Sequence, residues 1–392
     1  MKVIEETLDA KLCTYDLNLI SDPEKILFMD IETTGFAARS SVLYLIGCVV
    51  CEGGNLKLIQ YFAEKPEDEE KVLSVFLDLC KKKKVLIHYN GNNFDLPYLK
   101  HKCISYGYDQ PFDAMEGVDI YKRVMPYKQV LRVDNLKQKT MERFLDIERE
   151  DIYNGGELIN VYREYVADAV RLEKQAGLGG FEETAMLKKE ADDKLSLLLL
   201  HNADDMRGML SLISLLAYAD IFLLPNKITR ISAKKVTEPT GNVHLFLLMR
   251  LRLTNALPKP LVVMKKGIRL AVEETELTLD IPITEGELKY FYGNYKEYYY
   301  LPEEDTALHK SVASFVSPDH RIQATAQNCY TRKEGQFLPE FDLLFEPIFR
   351  QSYDRPQLYF ELTDELKHSP ETLHQYAIHV CDFMFHNTTN RS

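Results

Sequence analysis

No stretch of this chain approaches the roughly 18 consecutive apolar residues of a membrane-spanning helix. The opening Met1-Lys2-Val3-Ile4-Glu5-Glu6 lacks the basic-then-apolar pattern of a secretory signal. Cysteine is scarce and odd in number: Cys13, Cys48, Cys51, Cys80, Cys103, Cys329 and Cys381. Most of these sit in apolar surroundings, which predicts reduced, buried thiols in a cytoplasmic protein rather than a disulfide framework. Cys48-Val49-Val50-Cys51 has a zinc-like spacing, but it lies in a predicted strand and no second pair follows, so core packing is the preferred reading. Positive charge is in deficit, giving a net charge of −12. That argues against a protein that coats nucleic acid by neutralising phosphates, although not against an enzyme with a local basic groove.

What is present is ordinary globular material, 45% hydrophobic and 28% charged, over 392 residues. The length suits two domains. The most informative stretch is Ile26-Leu27-Phe28-Met29-Asp30-Ile31-Glu32-Thr33-Thr34-Gly35, a predicted buried strand stopped by Thr-Thr-Gly. An ionised carboxylate buried without a partner costs several kcal/mol or more. Asp30 and Glu32 are two apart and leave the same face of a strand. Two solvated acids at a strand end would look the same, but converging carboxylates are also what hard divalent cations require.

Further along, Val42 to Val50 and Leu56 to Phe62 read as strands joined by a Gly53-Gly54 hairpin signal. Glu67 to Lys82 has helical spacing of apolar residues. Val85 to Gly91 is a strand running into a turn. Asn92 to Leu99 opens a helix with Asp95 in its first turn, where the helix dipole favours an anion. Gly117 to Val124 is predicted as an edge strand containing Asp119, and residues 1–25 as a polar lead-in. Residues 135–144 and 157–166 are predicted helices. The glycine-interrupted, charged stretch 167–190 reads as an insertion or an extended helical pair. Residues 194–219 form a long leucine-rich helix that contains His201-Asn202-Ala203-Asp204-Asp205. His201 and Asp205 are four apart and share a helix face. Polar groups in such a helix need partners or a site. The order of elements describes a mixed sheet with helices on its faces.

Asp30-Ile31-Glu32-Thr33-Thr34-Gly35, Asn90-Gly91-Asn92-Asn93-Phe94-Asp95-Leu96-Pro97 and His201-Asn202-Ala203-Asp204-Asp205 together resemble the three exonuclease motifs of the DEDD, or DnaQ-like, superfamily. More narrowly, the segment resembles the YprB-type ribonuclease H-like domain. Asp119, Asn135-Leu136-Lys137, Gly155-Gly156-Glu157-Leu158 (read as a turn) and Tyr162 also fit that subgroup. The likeness covers roughly residues 22–220. It implies an α/β, ribonuclease H-like mixed sheet with flanking helices over residues 1–220. It also implies 3′→5′ hydrolysis of phosphodiesters with two Mg²⁺ or Mn²⁺ ions. Position by position, Asp30, Glu32, Asp95 and Asp205 take the place of the metal ligands. His201 takes the place of the residue that handles the attacking water, and Asn90 and Thr33 lie where substrate is contacted. One departure stands out. The family commonly has Tyr with three residues between it and the last Asp, or His with four; this chain has His with three between if Asp205 is the ligand. Asp204 is the competing ligand.

From about residue 221 the composition changes. Between Lys227 and Arg269 there are ten basic residues against the single acid Glu238, a local charge near +9. Val243 to Leu253 alternates, with His244, Phe246, Leu248, Arg250 and Arg252 on one face. Residues 261–270 and 276–281 are predicted further strands. Residues 221–392 are therefore expected to form a smaller α+β module with an antiparallel sheet. Arg250, Arg252, Lys265 and Arg269 are its candidate substrate-binding residues, although snorkelling side chains on a wet face would give the same pattern. The aromatic run Tyr290 to Tyr300, interleaved with Lys296, suits base stacking; a β core and its edge is the preferred reading. Residues 303–316 and 370–385 are predicted helices. The expected partner is single-stranded DNA or RNA and not a membrane. An idle, nucleic-acid-binding relative and a structure-specific endonuclease are the alternative functions.

Overall fold

The computed structural model describes residues 1–392 except 152, 154, 176–180, 224–226, 238–242 and 386–392. Strand β1 spans Lys2–Leu8, β2 Ile26–Thr33, β3 Leu43–Glu52, β4 Asn55–Phe62, β5 Val85–His88 and β6 Glu116–Asp119. They form one sheet of order β1-β4-β3-β2-β5-β6, with β2 parallel to β5 and antiparallel to β3. The position of β2 at the centre explains its nearly unbroken run of buried apolar side chains. Helix α1 covers Glu69–Cys80, α2 Asp95–Tyr106, α3 Ile120–Val124, α4 Lys128–Leu131, α5 Gln138–Phe144, α6 Gly155–Gln175, α7 Phe181–Leu212 and α8 Ala217–Leu223. This is the ribonuclease H-like mixed sheet with flanking helices that the motifs imply.

The β3–β4 hairpin turns on Gly53 and Gly54 alone, at φ 56° and 81°. Such a two-residue turn needs positive φ at both positions, which glycine adopts without strain. Three expectations require correction. Residues 1–25 contain β1, which pairs with β4 from Lys2↔Phe62 to Leu8↔Leu56; its edge position leaves it mostly exposed and polar. The predicted strand 117–124 stops at Asp119, whose side chain accepts from the Lys122 amide and caps α3. Gly155 to Leu158 opens α6 instead of forming a turn. In the 167–190 stretch, α6 reaches Gln175 and α7 starts at Phe181. The link between them lies outside the described residues. All seven cysteines are free. Among the described residues no helix is long and apolar enough to cross a membrane.

The described chain divides into two compact units, Met1–Ala219 and Asp220–Ser392. In the second, β7 (Lys227–Thr237), β8 (Val243–Arg252), β9 (Leu261–Lys265), β10 (Ile268–Glu273), β11 (Glu276–Phe291), β15 (Tyr330–Glu340) and β16 (Leu358–Glu361) make a seven-stranded antiparallel sheet. Strands β12 (Tyr298–Leu301), β13 (Thr306–His309) and β14 (Ile322–Gln323) make a small one. The expected single strand over 261–270 is a hairpin, broken by Lys266 and Gly267 at positive φ. The expected helix over 303–316 is β13 followed by the four-residue α9 (Lys310–Ala313). Glu238 lies outside the described residues. Helices α10 (Asp364–Lys367) and α11 (Pro370–Phe385) complete the unit, α11 as predicted from its periodicity.

Helix α7 packs on β2, β3 and β4. Gln60, Gly47 and Asp30 are register neighbours across β4, β3 and β2, and Asn202 of α7 lies over this row. A β-carbon at Gly47 would stand 2.1 Å from Asn202 Oδ1, so only glycine leaves room for the Asn202 amide where it lies. Gly47→Ala is therefore expected to lower the melting temperature by about 2–10 °C. An unchanged melting curve would show that α7 can shift at no cost.

Candidate metal-binding active site

Asp30 and Glu32 leave one face of β2 at its C-terminal end. Asp95 starts α2, and its carboxylate accepts from its own amide and from that of Ile31. The loop ahead of it is built by acids and amides. Asn90 adopts φ 62°; its amide donates to Asp119 Oδ1 at 2.9 Å, while Asn92 Nδ2 donates to Oδ2 at 2.9 Å. His88 is buried, and its Nδ1 accepts the Gly91 amide at 3.1 Å. Asp119 thus fixes the turn that delivers Asp95 to the β2 carboxylates.

From α7, His201 and Asp205 project into the same place. The His201 Nε2 atom is 3.5 Å from Glu32 Oε1 and 3.4 Å from Asp205 Oδ2. One ligand atom from each of Glu32, His201 and Asp205 lies within 4.8 Å of the others, a spacing that could hold a metal ion. Burial, then the charges of Asp205 and Asp95, pushes Glu32 well above the usual carboxylate range. Burial, then Asp205, Asp95 and Glu32, does the same to Asp30. Burial pushes Asp95 up to about 6. Such mutual repulsion, with acceptor oxygens converging, is the chemistry of a hard divalent-cation site. The residues present fit Mg²⁺ or Mn²⁺.

The structure separates the two competing aspartates. Asp204 is buried and turned away, accepting the Glu150 and Asp151 amides at 2.9 Å each and pairing with Arg207 at 3.2 Å. It holds a loop, whereas Asp205 faces the carboxylates. That loop supplies two groups with no motif to announce them. Asp151 Oδ2 lies 2.6 Å from His201 Nδ1. Burial pushes the Asp151 carboxyl up, yet the Tyr153 amide and His201 together hold it below its usual value. Arg149 donates to Asp205 Oδ1 at 2.8 Å and, through its other nitrogen, to both oxygens of Glu142. Asn202 donates to Asp30 Oδ2 at 3.0 Å and accepts from Gln60 at 3.0 Å. In the sequence Asn202 stands out as a polar residue of a leucine-rich helix and as a member of the third motif, with no role attached to it.

Other candidates have local partners. Thr33 donates to the Gly35 carbonyl at 2.9 Å, and Asn90 Oδ1 accepts from Asn93 at 2.6 Å, so both side chains serve their own turns. Arg250, Arg252 and Arg269 share one face of the second unit's sheet by register. Arg250 lies 3.7 Å from Glu276 and Arg269 3.9 Å from Asp280, acids of β11 that partly offset the basic stretch. Lys265 is on the opposite face. It donates to the Phe383 carbonyl at 2.6 Å and stands 4.1 Å above the Phe383 ring, closing the C-terminal end of α11.

Residues 27–217 match the model of the RNase_H_2 family, described as RNase H superfamily. No curated protein matches the chain. Among solved structures, the family B DNA polymerase from the hyperthermophilic archaeon Pyrobaculum calidifontis is 15% identical with a TM-score of 0.37, over 70% of this chain and 35% of the polymerase. E. coli Exonuclease I in complex with a dA16 oligonucleotide is 10% identical with a TM-score of 0.31, over 59% of this chain and 55% of that one. The chain thus spans about a third and about half of these two proteins, and likeness at this level carries no weight for activity.

Two outcomes follow from the geometry. Mg²⁺ or Mn²⁺ is expected to raise the melting temperature, because the folded cluster binds what the unfolded chain does not. Asp30→Asn is expected to raise it in EDTA, by removing one repelling charge, and to shrink the metal-induced shift. Melting curves that ignore both the metal and the substitution would contradict the site. Separately, burial holds His88 below its ordinary value of 6.5. A histidine kept neutral by folding contributes stability that is complete above the unfolded value and is lost as pH falls through the folded one. Between pH 7 and 5 the wild type should therefore lose stability more steeply than His88→Gln, whose amide oxygen still accepts from Gly91. Parallel slopes would refute this.

Proposed function

From the premise that residues 27–217 form a domain of the RNase H superfamily, we propose that the protein is a divalent-metal-dependent 3′→5′ exonuclease acting on single-stranded DNA or RNA. The observation that carries this reading is the convergence of Asp30, Glu32, Asp95 and Asp205 beside a histidine tied to Asp151. In this reading the four carboxylates hold the ions. Bound there, divalent cations supply positive charge for the phosphodiester and acidify bound water.

The chain's own groups do the rest. Asp151, ionised and able only to accept, fixes the His201 proton on Nδ1. Nε2 of a neutral His201 is then a bare acceptor aimed at the carboxylate cluster, placed to take a proton from an attacking water. Asn202 holds Asp30 by donating to one oxygen and leaves the other available. Arg149 offsets the charge of Asp205 from outside the cluster. The His spacing that departs from the family pattern is workable here, because residues i and i+4 of α7 present both groups to the same point. Arg250, Arg252 and Arg269 are the proposed phosphate contacts of the second unit.

End-labelled single-stranded DNA and RNA oligomers test the reading. Mn²⁺ should give a ladder that shortens from the 3′ end, absent in EDTA and in Asp30→Ala. Asp205→Asn should lose both the ladder and the metal-induced melting shift, while Asp204→Asn keeps the shift. Asp151→Asn should slow cleavage by about 10–100-fold, the usual cost of losing a group that orients a site residue. Cutting of a circular strand would replace the exonuclease by an endonuclease. No cleavage of any polymer, with binding retained, would favour a binding factor.

A further inference from the structure

The second unit contains a cleft of about 690 Å³ at the C-terminal end of β11, lined in part by Tyr290, Tyr292, Tyr295, Tyr353 and Arg350. Its volume is that of a small-ligand site. The aromatic run divides between two tasks. Tyr292 stacks on Tyr298 with ring centres 4.4 Å apart, which is packing. Tyr295 and Tyr353 are 36% and 41% exposed, too much for a core. Tyr353 touches Phe291 at 5.6 Å, near perpendicular, so its ring is braced by one edge contact. Arg350 is anchored through its backbone, which exchanges two hydrogen bonds with Lys289 at 2.9 Å each. Its guanidinium makes no ion pair or hydrogen bond among the described residues, in a protein that carries twelve more negative than positive charges.

A cation without a partner, in a cleft of exposed rings, is matched by a group that is planar at one end and anionic at the other. A nucleotide has that form: a base with two π-faces and a phosphate that a guanidinium grips with two nitrogens. Glu346, which also lines the cleft, opposes a phosphate at its own position but accepts from the amino groups of base edges.

We propose that this cleft binds one or two unpaired nucleotides of single-stranded nucleic acid, stacking bases on Tyr295 and Tyr353 and pairing a phosphate with Arg350. The proposal shares its ligand class with the nuclease reading but uses none of the carboxylate residues.

The test uses the full chain in EDTA, where no cleavage occurs, with a fluorescent oligothymidylate and its 5-iodouracil analogue. Tyr353→Ala and Arg350→Gln are expected to weaken binding about 5–100-fold each, in the range for loss of one base stack. Irradiation should cross-link the analogue to peptides carrying Tyr295 or Tyr353. Melting temperatures of both variants should match the wild type. With Mn²⁺, both variants should hydrolyse thymidine 5′-(p-nitrophenyl phosphate), a substrate of one nucleotide, at the wild-type rate. Unchanged oligomer affinity in both variants, or cross-links only outside the cleft, would overturn the proposal even if the nuclease is active. Binding of a tyrosine-phosphorylated peptide at Arg350 with no oligomer affinity would also overturn it. Absence of nucleotide ester hydrolysis with intact cleft binding would instead count against the nuclease reading alone.

Discussion

The structure depends on how α7 is allowed to approach the sheet. Asn202 sits over Gly47 and joins Gln60 on β4 to Asp30 on β2, at 3.0 Å on either side. One turn of the same helix presents His201 and Asp205 to Glu32, and turns Asp204 to the loop behind. A side chain at residue 47 would displace the Asn202 amide and disturb the seating of Asp205 against the carboxylates of β2 and α2. The tightness of the approach is thus a condition for concentrating negative charge. The opposing constraint is the charge itself, since burial and mutual repulsion raise Asp30, Glu32 and Asp95 together. Asn202, the Ile31 amide and Arg149 hold this tension without removing it, which leaves the cluster able to gain from added cations.

Acids in this unit do two kinds of work, and sequence cannot sort them. Asp119 and Asp204 each accept two donors from a loop. Asp119 fixes the turn that leads to Asp95; Asp204 fixes the loop that carries Arg149 and Asp151. Asp119 and Asp204 spend their oxygens on loop donors and stabilise backbone, whereas Asp205 faces other carboxylates. Adjacent residues 204 and 205 fall on opposite sides of that division because successive residues of a helix point about 100° apart.

The sequence therefore carried the centre of the fold better than its edges. Asp30 and Glu32 were legible because ionisable groups interrupt an apolar run, and Gly53-Gly54 because a two-residue turn requires positive φ. Strand β1 was not, since an edge strand need not alternate when neither face is fully covered. Asp151 and Arg149 were not, since they act from a loop with no period and meet His201 and Asp205 only in three dimensions. Helix register alone could not say which of Asp204 and Asp205 faces the carboxylates, because only the fold shows Asp204 turned to the Glu150 and Asp151 amides.

The second unit shows the same limit in its charges. Ten basic residues against one acid describe a linear stretch, but a sheet is read across strands. Glu276 and Asp280 come from β11, after the basic stretch has ended, and face Arg250 and Arg269. Lys265, inside the basic stretch, turns to the other face and closes a helix end instead. Arg350, outside that stretch, keeps a guanidinium with no partner among the described residues, beside exposed rings. In an acidic protein, a cation that no neighbouring strand offsets is more available to an anionic ligand than one that is partly offset. Local charge density in the sequence points to where cations are numerous, while the pairing of strands decides which of them are free.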